Sequence, residues 1–233
     1  MTKVCAFDSN GTLFDMRALN PFFVKTFGRS EYREIWFHSV LHASLVLNAV
    51  GDYHELSTLA TESLSILADE HDVKVGLAAK AELMKEMQSL PIFPDVREGL
   101  EMLKNAGYRL VIFSNASKAS SKLLLVQAGI QDLFDEVLST DSAKSFKPSQ
   151  KSYEVAAKEL GVPIKDIWLI AGHAWDTGGA KVAGAKSALI KRPGYAPLGV
   201  YPSSTVVADD LLKTAVALIA KDKTFVEKIR ELV

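Results

Sequence analysis

The sequence has a single cysteine, Cys5, among 233 residues. That excludes an intramolecular disulfide framework and any clustered-thiolate metal site, and it suits a reducing compartment. An excess of one charge is also missing: 27 Lys and Arg face 28 Asp and Glu, a formal net charge of -1. Without a basic block, neither nucleic acid nor an anionic membrane has its electrostatic footprint, so the expected partner is a small molecule. No window approaches the roughly 18 uninterrupted apolar residues of a membrane span, and charge interrupts the start, Met1 to Asp8, too soon for a signal peptide. The expected location is cytoplasmic. Internal repeats and low-complexity tracts are absent as well.

What the chain does have is 48% hydrophobic residues distributed in short runs. Val4 to Phe7, Leu110 to Phe113, Trp168 to Ala171 and Ala188 to Ile190 are apolar without alternation, the pattern of strands buried on both faces of a parallel sheet. Helical patterns over Ser117 to Ala128, Gln150 to Leu160 and Ala174 to Ala183 lie between the later runs. Strand and helix therefore alternate, which predicts an α/β doubly wound sheet. Thr205 to Ala208 and a helix from Asp209 onward would close it. From residue 16 to 91 the rhythm breaks into successive helical segments, with Leu41, Leu45 and Leu47 in one, Leu56, Leu59, Leu64 and Leu67 in the next, and Leu77, Leu83 and Met84 in a third. The expected organisation is a core of residues 1–15 and 92–233 interrupted by a helical module over 16–91. Pro91 and Pro94 mark the return, and Asp95 is the expected cap of the following helix.

Four polar groups follow predicted strands. Asp8 leads Ser9-Asn10-Gly11-Thr12-Leu13, where Gly11 permits a sharp turn and the amides can form an anion-binding nest. Ser114-Asn115 offers neutral donors beside a helix start. Lys147, ahead of Pro148, is a cation able to keep a carboxylate ionised. Asp176 follows Gly172-His173-Ala174-Trp175, with Gly178 and Gly179 permitting close approach. Taken singly, each has an ordinary reading as a turn, a helix cap or a solvated lysine. In open α/β sheets ligands bind beyond the carboxyl ends of strands, so together the four predict one site on one sheet edge.

These motifs resemble those of the haloacid dehalogenase superfamily of hydrolases, and within it the 2-haloacid dehalogenase branch. Phe7 to Asp15 is similar to the first family motif, Ser114-Asn115 to the second, Lys147-Pro148 to the third and Ala174-Trp175-Asp176 to the fourth. The resemblance implies a Rossmann-like core with an inserted all-helical cap, and displacement of halide from a small 2-haloacid through an aspartyl ester on Asp8. It implies that Lys147 keeps Asp8 ionised and that Asp176 orients Lys147. Ser114, with amides near Ser9 and Asn115, would receive the substrate carboxylate, while Asn115 would help hold the halide. Thr12 would support the nucleophile loop. Trp175, Phe37, Leu41 and Tyr53 would line an apolar pocket. A homodimer through the cap is a further implication.

Two departures separate alternatives. Family phosphatases carry a second acid two residues after the nucleophile and bind magnesium; here that position is Asn10, which cannot deliver a proton to a leaving alcohol. Halide needs no proton, so no metal or other cofactor is expected, and magnesium belongs only to the phosphatase alternative. The other alternative is a weakly catalytic paralogue with a binding role. Phe37 stands where the branch commonly has a cap arginine. Arg33 and His38 are offset substitutes, since one residue rotates a helical side chain by about 100°. His173 is a candidate base or substrate contact.

Overall fold

The computed structural model describes residues 3–194 and 199–222. Six strands, β1 (Val4–Phe7), β2 (Arg109–Ser114), β3 (Glu136–Ser139), β4 (Ile167–Ala171), β5 (Lys186–Ile190) and β6 (Val206–Ala208), form one sheet in the order β3-β2-β1-β4-β5-β6. Every pairing is parallel. Successive side chains of β1 point to opposite faces. Val4 and Ala6 join Val111, Phe113 and Leu169 in one apolar layer, whereas Cys5 and Phe7 join Leu110, Ile112 and Ile170 in the other. Burial on both faces explains why these strands read as continuous apolar runs rather than alternating ones.

Helices α5 (Val96–Asn105) and α9 (Leu211–Asp222) pack together on the Phe7 side, and α7 (Gln150–Leu160) and α8 (Ala174–Val182) cover the Ala6 side; α6 (Lys118–Gln127) follows β2. Between β1 and α5 the chain forms a 3-10 turn at Met16–Leu19 and then α1 (Asn20–Phe27), α2 (Tyr32–Val50), α3 (Leu56–Glu70) and α4 (Leu77–Met87). Where the chain enters and leaves this stretch, Asp15 N donates to Pro91 O and Phe93 N to Leu13 O at 2.8 and 3.0 Å. Trp36, fully buried, anchors α2 on α3 by donating its indole N–H to Ala60 O at 2.8 Å.

The α/β architecture matches the sequence expectation, with two unexpected elements, β3 and α1. Asp95 does begin α5 but makes no side-chain cap there. Instead its carboxylate accepts two bonds from Arg192 Nη1, at 2.8 and 2.9 Å, and one from Leu211 N at 2.6 Å. Arg192 was already drawn to that side by Thr12 O, to which its Nε donates at 2.8 Å. The expected final helix is present as α9; its continuation past Asp222 lies outside the described residues.

Candidate active site

The crevice above β1 is the point where strand order reverses, with β2 on one side and β4 on the other. Asp8 extends β1 by one residue, donating its N–H to Ile170 O at 3.0 Å. The chain then turns back on itself, and Ser9 O accepts from the amides of Thr12, Leu13 and Phe14. Gly11 adopts φ +75°, the left-handed region favoured by glycine. Gly172 at the end of β4 lies so close to Gly11 O that a Cβ there would collide with it. Thr12 Oγ1 joins the two loops by accepting from Gly172 N at 2.8 Å and donating to Asp8 Oδ2 at 2.6 Å.

Lys147 has 1% of its surface exposed, and its ammonium spends all three donors inside the protein. They go to Asp8 Oδ1 at 2.9 Å, Asp176 Oδ2 at 2.7 Å and Phe113 O at 2.9 Å. Its backbone is held on both sides. Lys147 N donates to Asn115 Oδ1 at 2.9 Å, and the preceding Phe146 exchanges two bonds with Asn48 of α2, at 2.8 and 2.9 Å. Asp176, in the first turn of α8, also accepts from the Tyr153 hydroxyl at Oδ1, 2.7 Å. Gly179 permits this approach of α7 to α8, because a Cβ there would stand 2.5 Å from Pro148 Cβ and 2.8 Å from the Tyr153 hydroxyl.

Two carboxylates thus share one ammonium, and their environments separate them. Burial raises the pKa of Asp8, but Lys147 and the bonds from His173 and Thr12 outweigh it and hold Asp8 well below the usual carboxylate range. For Asp176 burial dominates: the same lysine lowers its pKa, neighbouring Asp8 raises it, and the result is raised. Lys147 behaves oppositely to a buried amine without partners. Burial alone would lower its pKa, yet Asp176 and Asp8 raise it above the ordinary value. At neutral pH Asp8 is therefore anionic, beside a charged lysine.

His173 Nδ1 lies 3.1 Å from Asp8 Oδ2. With Asp8 ionised, that contact requires the proton on Nδ1. The imidazole stacks on Trp175, with ring centroids 5.3 Å apart, and lies tilted against Phe37 at 5.7 Å. Ser114 Oγ accepts from Ala116 N and Asn115 holds Lys147, so neither caps α6; Ser117 does. Asp176 likewise faces Lys147 and Tyr153 rather than capping α8.

Two openings lie near the site. Ser9, Asn10, Ala116 and Ser117 border a recess of about 50 Å³. Lys147 and His173 end a cleft of about 660 Å³ whose walls include Phe37, Leu41, Leu45 and Trp175. Phe37, Trp175 and Leu41 all line this cleft. Tyr53 does not: it stacks on Phe146, and its hydroxyl bonds Asp141. Arg33 is also elsewhere, its Nε donating to Asn20 Oδ1 at 2.8 Å, whereas exposed His38 lines the cleft.

The donor set does not fit a magnesium ion. That ion wants several oxygens in near-octahedral array. Here every oxygen of Asp8 and Asp176 already accepts a bond, and Lys147 occupies the bridging position between them. Among the described residues no group of three or more His, Cys, Asp and Glu is placed to hold a metal, and no helix is long and apolar enough to cross a membrane.

Sequence reading missed Tyr153 and Asn48. Tyr153 lies on the apolar face of a legible helix, where a buried hydroxyl demands a partner; Asn48 is a polar residue near the end of an otherwise apolar helix segment. Both signals were present, but neither names its partner.

The model of the haloacid dehalogenase-like hydrolase family matches residues 2–184. Haloacetate dehalogenase H-2 of Moraxella sp. (strain B) is 27% identical over 220 residues, 93% of this chain and 98% of the relative. (S)-2-haloacid dehalogenase 4A of Burkholderia cepacia is 29% identical over 197 residues, covering 84% and 85%. Among solved structures, an L-2-haloacid dehalogenase superposes with a TM-score of 0.88 at 25% identity, over 93% of this chain and 98% of that one. A dehalogenase in an intermediate complex gives 0.86 at 26% identity over 93% and 96%. The family match spans β1 to β4, the helical stretch and all four strand-end motifs, and the chain belongs to the haloacid dehalogenase-like hydrolase family.

Proposed function

We propose that this chain is a metal-independent hydrolytic dehalogenase of 2-haloacids, with Asp8 as nucleophile. One observation carries the reading: the Asp8 carboxylate is ionised and its counter-charge is the buried Lys147 ammonium, in a site open on one side to a cleft. The 2-haloacid and haloacetate activities named for its relatives suit that chemistry.

In the first half-reaction an Asp8 oxygen displaces halide at C2; the carbon–oxygen bond forms as the carbon–halogen bond breaks, and halide leaves with the electron pair. Ser114, with the amides near Ser9 and Asn115, receives the substrate carboxylate, and Asn115 helps hold the departing halide. Lys147, Thr12 and His173 hold the nucleophile in line, and Trp175 and Phe37 shield it from bulk water. In the second half-reaction water adds to the Asp8 carbonyl carbon, releasing the 2-hydroxyacid and restoring the carboxylate. His173 and Asp176 are the neighbouring groups able to take the water's proton. The helical stretch 16–91 serves as a cap over this edge. A cytoplasmic location agrees with the single buried thiol, and the exposed apolar residues Ile35, Val46 and Val50 of α2 support a homodimer through the helical stretch.

The test is halide release from racemic 2-bromopropionate in excess EDTA, with Asp8→Asn as control, followed by a single turnover in oxygen-labelled water. Metal-independent release and label entering Asp8 before product are expected. Direct labelling of product, or turnover of phosphate esters only with magnesium, would overturn the reading.

A further inference from the structure

Resting on that dehalogenase reading, we infer that the preferred substrates are 2-haloacids with an extended apolar substituent at C2, an alkyl chain of about four to eight carbons, rather than the shortest acids. The argument begins with size. The cleft ending at Lys147 and His173 holds about 660 Å³. At about 30 Å³ per water in the liquid, that is room for about 20 waters. It lies within the range of cavities that take drug-sized ligands, roughly 300 to 1,000 Å³. A haloacetate or halopropionate would leave most of it wet.

The second step is direction. Lys147 and His173 both contact Asp8, at 2.9 and 3.1 Å, so the inner end of the cleft is the reacting position. The separate recess bordered by Ser9, Asn10 and Ser117, about 50 Å³, offers far less room than the cleft. A substituent on a C2 carbon at Asp8 therefore finds its larger room along the cleft that ends at Lys147 and His173.

The third step is chemistry. Phe37, Leu41, Leu45, Pro148, Trp175 and Tyr201 supply the walls. Leu45 and Tyr201 are 47% and 39% exposed, apolar surface that a bound chain would cover. Among the described residues no arginine lines the cleft, and its one lysine, Lys147, is already shared by two carboxylates. His38 and His42 stand on its exposed rim. A second anionic group on the substrate finds no dedicated partner along the walls, whereas each added methylene gains about fourfold in transition-state binding when buried.

The experiment measures kcat/KM for 2-bromopropionate, 2-bromohexanoate and 2-bromooctanoate in the wild type and in Leu45→Trp, which fills the cleft from a half-exposed position. At least a tenfold preference for hexanoate over propionate is expected, and the tryptophan should reduce that ratio to about one. Calorimetry with inert octanoate and propionate on Asp8→Asn gives a binding readout independent of chemistry, with octanoate bound at least tenfold more tightly. A preference for propionate, or a long-chain preference indifferent to Leu45→Trp, would overturn the inference while leaving dehalogenation intact. Octanoate binding lost in Leu45→Trp, with no halide released from any acid, would support the cleft and sink the dehalogenase reading instead.

Discussion

The sheet carries a carboxylate network at each of its two edges, built from nearly the same residue types. At the carboxyl edge, Asp8 and Asp176 share the fully buried Lys147, with Tyr153 donating to Asp176. At the amino edge, Asp222 of α9 accepts from Tyr108 at 2.9 Å, Trp168 at 2.9 Å and Lys186 at 3.1 Å. The difference is stoichiometry and solvent. Asp222 has several donors to one acid, and its lysine is 41% exposed; burial raises its pKa, but those donors prevail and lower it. The arrangement staples α9 to the ends of β2, β4 and β5 and leaves nothing to react. At the other edge two acids share one cation in a buried site beside a cleft, and Lys147, His173 and Thr12 together hold one of them, Asp8, ionised. Tyrosine, aspartate and lysine together therefore do not specify a function. The ratio of charges, burial and an adjoining cleft do.

The largest effect on this contrast is expected from Asp8→Asn, since an amide of similar volume is a poor nucleophile: halide release should fall by at least about 10³-fold in a variant that still folds. Retained turnover, measured with a halide electrode, would remove Asp8 from the chemistry. Lys147→Met comes next. It leaves two buried carboxylates without their cation and should cost about 3–5 kcal/mol in urea unfolding. In the wild type the depressed Asp8 pKa makes its ionisation stabilising above about pH 3.9, a contribution lost as pH falls through the folded value. In Lys147→Met that pKa rises, so any residual activity should show its acid limb at higher pH, and an unmoved limb would refute the pairing.

Asn48→Ala removes both bonds that fix Phe146 ahead of Lys147. We expect kcat to fall about tenfold with KM little changed, because the lysine loosens while the cleft remains; a KM effect alone would place Asn48 in binding. The smallest effect belongs to the opposite edge. Asp222→Asn should cost about 1–2 kcal/mol of stability through lost charge-assisted hydrogen bonds and leave kcat within twofold. A large loss of turnover there would mean that the two edges are coupled.

Much of this protein is legible locally. Strands β1, β2, β4 and β5 are apolar on both faces, and α7 over Gln150–Leu160 follows from its periodicity alone. β3 was not legible because its four residues begin with the half-buried Glu136 and Val137, giving no continuous apolar run. Asp8, Ser114, Lys147 and Asp176 were legible as a set since each follows a strand or begins a helix, positions that sequence pattern locates well. Tyr53 was misplaced because an aromatic near a cap helix fits a pocket wall as well as an anchor on Phe146.

By itself, then, the sequence determined the α/β alternation, the inserted helices and the chemical inventory at the sheet edge, since these depend on contacts between near neighbours in the chain. Tertiary structure alone decided which groups meet. Lys147 and Asp8 are 139 residues apart, His173 and Asp8 are 165 apart, and Asn48 and Phe146 are 98 apart. No local periodicity encodes such pairings. They arise because parallel strands bring their ends to one edge, and because a buried charge must find its partner there or remain unsolvated.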